Sequence, residues 1–396
     1  MTKNFDIAVI GAGLNGMTMA ISMAHHGLNV ALLDKFDVNK MLDEGFDGRT
    51  SAISFGSKSF FEELGIWQEI VKDAGEIRDI RIIDADLEKG DSRLFLHFNH
   101  ADAKHDEPMG WIAENRYLRT VFLNYLKDKN NVSIYSPAEI TDLKNDGNWA
   151  EIHTNGEIIK AKLAVLADGK SSNFAERLGI NKHFSDYKQK AIVLGVKHSL
   201  SHHKCATERF MPGGPFAILP MKDEHLSAVV WSDNTELVDA LMALPQEELM
   251  QQVRNRFGTH LGNIELATKV FSYPLYLNYA RKHYAKRVAL IGDSAHGIHP
   301  IAGQGYNQGV KDIRDLTDLV TQTQSLGLDI GGEQLLKDYQ AKRVIDNMQM
   351  VAATDFFNRF FSNNSKTLKT ARRLGIAAVH KLPKVKAFFI NRAMGK

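Results

Sequence analysis

The residues of this 396-residue chain best suited to chemistry form one run near its C-terminal end. It reads Gly292-Asp293-Ser294-Ala295-His296-Gly297-Ile298-His299-Pro300-Ile301-Ala302-Gly303-Gln304-Gly305-Tyr306-Asn307 and continues to Asp312. Asp293, directly after Gly292, offers a carboxylate that can accept hydrogen bonds from a sugar hydroxyl. Pro300 stiffens the loop, and Gly303 and Gly305 let backbone N–H groups approach a flat ligand closely. A helix is expected from about Asn307 onward, and its N-terminal end carries roughly half a positive charge. Such an end suits an electron-rich ring that becomes anionic on reduction, as a flavin does. An ordinary glycine-rich loop before a helix would explain the glycines, but not the Asp, the Pro and their spacing together.

Two further glycine–acid devices lie far away in sequence. Phe5-Asp6-Ile7-Ala8-Val9-Ile10 reads as a core strand and leads into Gly11-Ala12-Gly13-Leu14-Asn15-Gly16 and an apolar helix ending near Gly27. A second strand, Asn29 to Leu33, ends in Asp34. This is the dinucleotide-binding strand–helix–strand pattern. Its glycines turn tightly, admit a pyrophosphate and let helix and strand pack, while Asp34 stands where an acid binds ribose hydroxyls. These residues alone leave NAD versus FAD open. The third device is Leu163-Ala164-Val165-Leu166-Ala167 running into Asp168-Gly169, which places polar groups at the carboxyl edge of a parallel sheet, where ligands bind. Three such strand ends point to one large dinucleotide gripped from several sides.

Arginines supply the remaining candidates. Arg49, within Asp47-Gly48-Arg49-Thr50-Ser51-Ala52-Ile53-Ser54, has a planar fork that can clamp a pyrophosphate; a solvated loop arginine is the plain alternative. Glu114-Asn115-Arg116-Tyr117-Leu118-Arg119 opens a helix to about Lys127. Arg116 and Arg119 lie one turn apart on it, and either can reach a cofactor. The histidines His25–His26, His202–His203, His296 and His299 lack a second ligand pair at zinc spacing, so they read as structural or solvated and no metal site is expected.

The elements that must position these residues divide the chain. Its length allows two sub-domains, and 44% hydrophobic with 24% charged residues fits a soluble globular protein. The strand at residues 5–10 leaves no room for a signal peptide, and no apolar run approaches the ~18 residues of a spanning helix. One cysteine, Cys205, excludes an internal disulfide framework and fits a reducing cytosol. From about 185 to 275 alternating runs predict antiparallel strands of an inserted sheet, interrupted by helices at about 234–243 and 246–257, with Tyr273-Pro274-Leu275 leading back into the first domain. The end of the chain is different again. From Phe356 to Lys396 there are ten basic residues and no acid, which leaves 39 basic against 47 acidic residues elsewhere, a net of −8. Apolar residues are interleaved, among them Phe388, Phe389 and Ile390. Basic amphipathic helices of this kind read as membrane-surface segments, or as packing and oligomerisation helices with a basic exposed face. No nucleic-acid recognition fold accompanies them.

Gly11–Gly16, Asp168-Gly169 and Gly292-Asp293…Pro300…Gly303-Gln304-Gly305…Asn307…Asp312 together resemble the flavin-dependent aromatic hydroxylases of the p-hydroxybenzoate hydroxylase fold. The runs Asp47–Ser54 and Glu114–Arg119, Phe210…Gly214-Pro215…Leu219-Pro220 and the tail Leu374-Gly375-Ile376…Pro383…Phe388-Phe389 narrow the resemblance. They point to the ubiquinone-biosynthesis hydroxylases, the family of 2-polyprenyl-6-methoxyphenol hydroxylase and its relatives. Asp34 departs from the usual Glu and Ser294 from the usual Ala. The resemblance implies an α/β fold: a Rossmann-like FAD-binding domain (1–75, 106–184 and 274–340), an inserted antiparallel β-sheet substrate domain (76–105 and 185–273) and C-terminal basic amphipathic helices (341–396). It implies that Gly11, Gly13 and Gly16 hold the FAD pyrophosphate and Asp34 the adenosine ribose, that Arg49, Arg116 and Asp168 flank the cofactor, and that Asp293 binds its ribityl or pyrophosphate region. Gly303, Gln304, Gly305 and Asn307 would face the flavin, with Pro300 beside the ring. Chemistry is then flavin-centred, through a C4a-hydroperoxide; no general acid or base is named, and Pro300 and His299 are the only catalytic candidates.

NAD(P)H is expected as a transient reductant, since no second GxGxxG gives it a domain. The implied partners are a polyprenylated phenol, O2, and an anionic membrane surface or lipid-binding partner in a quinone-biosynthesis complex, with homo-oligomers left open and nucleic acid not expected. The implied location is cytoplasmic, peripheral on the inner face of the membrane. The alternatives are an FAD hydroxylase or epoxidase of another apolar substrate, and a non-catalytic prenyl-binding protein of the same fold.

Overall fold

The structure, a computed structural model, describes residues 2–43, 48–86, 90–99, 107–145, 147–170, 172–298 and 303–361. His299, Pro300 and the basic tail beyond residue 361 therefore lie outside the described residues, as does Asp47.

Three sheets form among the described residues. In the first, Val288–Leu290, Ile158–Leu166, Thr2–Ile10, Val30–Leu33 and Val132–Tyr135 run parallel, side by side. Ala150–Thr154 and Ile140–Lys144 attach antiparallel. The central stretches, Ile7–Ile10, Val30–Leu33, Leu163–Leu166 and Val288–Leu290, are apolar and buried on both faces, as parallel strands commonly are. Ile7 and Val9 pack with the helices Leu14–His25, Asn115–Lys127 and Gln304–Ser325, while Ala8 and Ile10 pack toward Leu143, Ile152 and Ala175. Alternation along one strand thus feeds two cores.

The second sheet has nine strands, drawn from residues 79–99 and 182–297. It is antiparallel except where Cys205–Met211 runs parallel to Asp79–Asp86. Ile192, Ile218, Val229 and Trp231 turn one face toward the helices Thr235–Met242 and Gln246–Phe257. Ala206, Ala228 and Leu219 lie on the opposite face and pack against Ile77 and Ile112 of a third, three-stranded sheet, Thr50–Ser54, Gly110–Glu114 and Gly75–Ile77.

Two local expectations change. Tyr273-Pro274-Leu275 does not leave the large sheet; it lies inside the strand Phe271–Ala280, with Pro274 opposite Lys190. This strand's other neighbour, His296–Gly297, reaches only Asn278 and Tyr279. Pro274 therefore sits where no ladder hydrogen bond is required of its missing N–H, the position a sheet edge allows proline. The long helix expected to follow Asn307 begins earlier, at Gln304, and the last described helix runs from Glu333 to Phe361.

Candidate functional site

Register in the parallel sheet brings the separate devices together. Ile10 is level with both Leu33 and Leu166, and Leu166 with Leu290. The residues that follow, Gly11, Asp34, Asp168 and Gly292-Asp293, consequently share one carboxyl edge, where open α/β sheets bind ligands. Gly11 has φ +103, and a Cβ there would lie 2.5 Å from the Ala167 carbonyl oxygen. A Cβ on Gly16 would meet the Gly11 carbonyl oxygen at 1.8 Å, whereas Gly13 is exposed with nothing within 4 Å of such an atom. Gly11 and Gly16 are therefore dictated by the protein itself. Gly13 instead leaves room for something outside it. The helix it opens, Leu14–His25, has no side-chain cap, which leaves N–H groups and the dipole for an anion.

The Asp34 carboxylate braces this turn, accepting from the Ala12 N–H at 2.6 Å and the Phe36 N–H at 2.8 Å. The Asp168 carboxylate accepts from the hydroxyls of Ser294, at 2.7 Å, and Ser172. Ser294 Oγ in turn accepts from the Gly169 N–H at 2.9 Å. Ser294 thereby fastens the second device to the third. Burial pushes the Asp168 carboxyl up, against the two hydroxyls that stabilise its charge. Asp293 stays partly open, with its Oδ2 4.0 Å from Lys170 Nζ; Lys170 also lies 5.2 Å from the centre of the Tyr276 ring.

The helix Gln304–Ser325 starts at Gly303, which has φ +61 and no side-chain cap; a Cβ there would lie 2.7 Å from Ala52 Cβ. Gly305 faces open space. Asn307 is buried, and its amide is spent inside the protein. Its Oδ1 accepts from the Ser54 N–H and the Ser57 hydroxyl, both at 2.8 Å, and its Nδ2 donates to the carbonyls of Ala52 (2.9 Å) and Gly303 (3.2 Å). It pins the helix start to the Thr50–Ser54 strand. Arg49 lies opposite Asn115, whose N–H donates to the Arg49 carbonyl at 3.1 Å, and Arg116 follows in the helix that starts there. Arg49 lies over Tyr273, 5.5 Å from the ring centre. Arg116 pairs with Glu114 at 2.6 Å and donates to the Tyr117 hydroxyl at 3.0 Å.

Behind the edge lies an ionic core that local sequence patterns did not reveal. Asp312, fully buried, accepts from the Gly292 N–H (2.9 Å), His296 Nε2 (2.5 Å) and Arg343 Nε (2.7 Å). Burial acts to raise the Asp312 carboxyl, but His296 and Arg343 outweigh it and hold it well below the usual carboxylate range. Arg343 also reaches Asp315 and Asp346, each at 3.1 Å. His283, fully buried beside His296, has no hydrogen-bond partner on either ring nitrogen, and burial pushes it down to about 4.

A carboxyl edge with room at Gly13, two uncapped helix starts and three strand-end acids fits a dinucleotide bearing a flat redox ring. The chain belongs to the FAD binding domain family, which it matches over residues 4–354, and is a FAD-dependent monooxygenase. It is 41% identical over 395 residues to the ubiquinone hydroxylase UbiL of Rhodospirillum rubrum, covering 99% of this chain and 90% of that protein. It is 30% identical over 394 residues to the 3-demethoxyubiquinol 3-hydroxylase of Escherichia coli, covering 98% of each. The crystal structure of p-nitrophenol 4-monooxygenase from Pseudomonas putida superimposes with a TM-score of 0.81 at 16% identity, covering 99% of this chain and 98% of that one. No helix among the described residues is long and apolar enough to cross a membrane.

Proposed function

We propose that the chain hydroxylates the aromatic ring of a polyprenylated phenol on the route to ubiquinone, with FAD as its cofactor, O2 as co-substrate and NAD(P)H as reductant. The observation that carries this reading is the convergence of Gly11–Gly13, Asp168 and Gly292-Asp293 on one carboxyl edge, in a chain similar over nearly its whole length to ubiquinone hydroxylases.

When bound, FAD supplies the two-electron reduction and the oxygen activation that no protein side chain can. This chain's residues do the rest. The turn at Gly11–Gly13 and the start of the Leu14–His25 helix would receive the pyrophosphate, with Asp34 on the side of the adenosine ribose. Asp293 accepts from hydroxyls of the ribityl chain, and Lys170 beside it offsets phosphate charge. Backbone N–H groups at the uncapped helix start, Gly303 to Gly305, would serve the ring's electron-rich edge, and Asn307 and Ser294 hold these loops in place. Arg49 and Arg116 would flank the cofactor. The small sheet packs on the large one through Ile77, Ile112, Ala206 and Ala228, an apolar seam of the kind that would keep water from the reacting ring.

A polyprenyl substrate stays in the bilayer, because each CH₂ favours burial by roughly 0.8 kcal/mol. The ten basic residues after Phe356 supply the means to meet it there, at about 1 kcal/mol per basic residue near an anionic surface. The test is to purify the protein, measure flavin absorbance and NAD(P)H-dependent O2 uptake with a prenylated phenol, and profile quinone intermediates in a deletion strain. A protein that stays colourless after reconstitution with FAD would sink the hydroxylase reading.

A further inference from the structure

One carboxylate in the large sheet is not used by the fold. Glu208 lies in the strand Cys205–Met211, and register places it in a transverse row. It is opposite Ile82 on one side and Ala217 on the other; Ala217 is opposite Val230, Val230 opposite Val193, and Val193 opposite Phe271. Directly opposed residues share a face, so Glu208 stands in an otherwise apolar row. That face is the one turned away from the helices Thr235–Met242 and Gln246–Phe257, which cover the alternate residues Ile218, Val229 and Trp231.

Two contacts show that this face borders the proposed cofactor site. A Cβ on Gly48, next to Arg49, would touch Val193 Cγ1 at 3.2 Å and Phe271 Cδ2 at 3.4 Å, at the far end of the row and about 14 Å from Glu208 at three strand spacings. Two residues before Glu208, Ala206 packs in the cluster that includes Ala52, the residue against which Gly303 starts its helix. Glu208 is therefore one side-chain step, about 7 Å along the strand, beyond the point where the small sheet closes on the large one. It keeps partial exposure and has no hydrogen-bond partner among the described residues. Burial alone pushes its carboxyl up to about 7. A second carboxyl on this face, Asp84, lies two residues beyond Ile82, opposite Phe210.

We propose that Glu208 binds the phenolic hydroxyl of the substrate, accepting its hydrogen bond and so fixing which edge of the ring meets the cofactor. This rests on the reading of the chain as a phenol hydroxylase and adds to it a specificity-determining residue. A half-buried carboxylate with no side-chain hydrogen-bond partner among the described residues costs stability, and such groups are retained where a ligand uses them. Glu208 orients the ring through the phenol O–H, and an ether in place of that hydroxyl leaves the carboxylate unpartnered, as a site built to hydrogen-bond rejects an analogue lacking the group.

The experiment compares 2-geranylphenol with its O-methyl ether in the FAD-loaded enzyme, for the parent, Glu208→Gln and Glu208→Leu, together with FAD content and Tm. The parent should favour the phenol by about 10- to 100-fold in kcat/KM, the worth of one hydrogen bond to a charged group. Glu208→Leu should keep its flavin and melt no lower than the parent, yet lose that preference and release more hydrogen peroxide per NAD(P)H consumed. Glu208→Gln, which still offers an acceptor oxygen, should retain part of the preference. If Glu208→Leu discriminates as the parent does, Glu208 does not touch the hydroxyl. If the parent turns over neither compound while holding FAD, the phenol-hydroxylase reading fails first, and this inference with it.

Discussion

Asp312 and His283 show opposite ways of burying an ionisable group. Asp312 is fully buried but accepts from a backbone N–H, a histidine and an arginine, so its charge is held. His283 has no such partners and is held neutral. The pH consequence follows from linkage. His283 has a folded value of about 4 against 6.5 when unfolded, so the unfolded chain binds the extra proton between those values. Stability is therefore lost as pH falls from about 6.5 to about 4, up to roughly 3 kcal/mol. Asp312 contributes in the same direction only lower down, as pH falls below the usual carboxylate range. Tm measured against pH should slope down through this window, and His283→Phe should flatten the slope; an equal slope in both proteins would mean that other groups set the acid limit. A second expectation concerns Asp293, whose carboxylate is partly open and, among the described residues, makes a long contact to Lys170. Asp293→Ala should fold with little change in Tm but lose most of its FAD, measured by the flavin-to-protein absorbance ratio, because sugar hydroxyls lose their acceptor. Full occupancy would show that this loop does not hold the cofactor.

Turns explain most of what could be read from the sequence. Gly11–Gly16 is a local pattern of strand, tight turn and helix, and the conformation at Gly11 and the contact at Gly16 need only residues close in sequence or at an adjoining strand end. A pair of substitutions separates packing from binding. Gly16→Ala puts a methyl group into the Gly11 carbonyl and should lower Tm by several degrees or prevent folding. Gly13→Ala meets nothing in the protein, so it should keep Tm in the absence of cofactor and weaken FAD binding; unchanged FAD affinity would place the pyrophosphate elsewhere. Non-local features were less legible. The Asp312 cluster joins residues 296, 312 and 343 from three separate elements with residue 283 from a bend, and no periodicity announces such a meeting. The partners of the Asn307 amide, Ala52, Gly303, Ser54 and Ser57, are likewise mostly distant in sequence, and only the fold shows that Asn307 ties the start of its helix to the small sheet. Pro274 stands in a run expected to lead back into the first domain; its pairing with Lys190 on one side and the short reach of His296–Gly297 on the other show the edge that tolerates it. Glu208 was likewise invisible within its strand, because its face is defined by Ile82, Ala217 and Val230 on neighbouring strands.

At the scale of the whole molecule, charge and chemistry occupy different parts of the chain. The last basic stretch carries ten positive charges without an acid, while the rest carries a net of −8, so a long-range field pulls one end toward anionic surfaces and repels the other. This separation makes location and catalysis independently testable. Replacing Lys381, Lys384, Lys386 and Arg392 with Gln leaves the Gly292–Asp312 region untouched, so FAD content should not change. Binding of the parent to anionic vesicles should already weaken with salt, because screening shortens the field to ~8 Å at physiological ionic strength, and binding of the variant should be weaker at every salt concentration. Turnover of a short-chain, water-soluble phenol should be equal in the two proteins, whereas turnover of a long-chain substrate embedded in vesicles should fall in the variant. Equal vesicle binding at low salt would assign the basic stretch to a solvated or self-associating surface, and access to a membrane-held substrate would then have to come from another part of the chain.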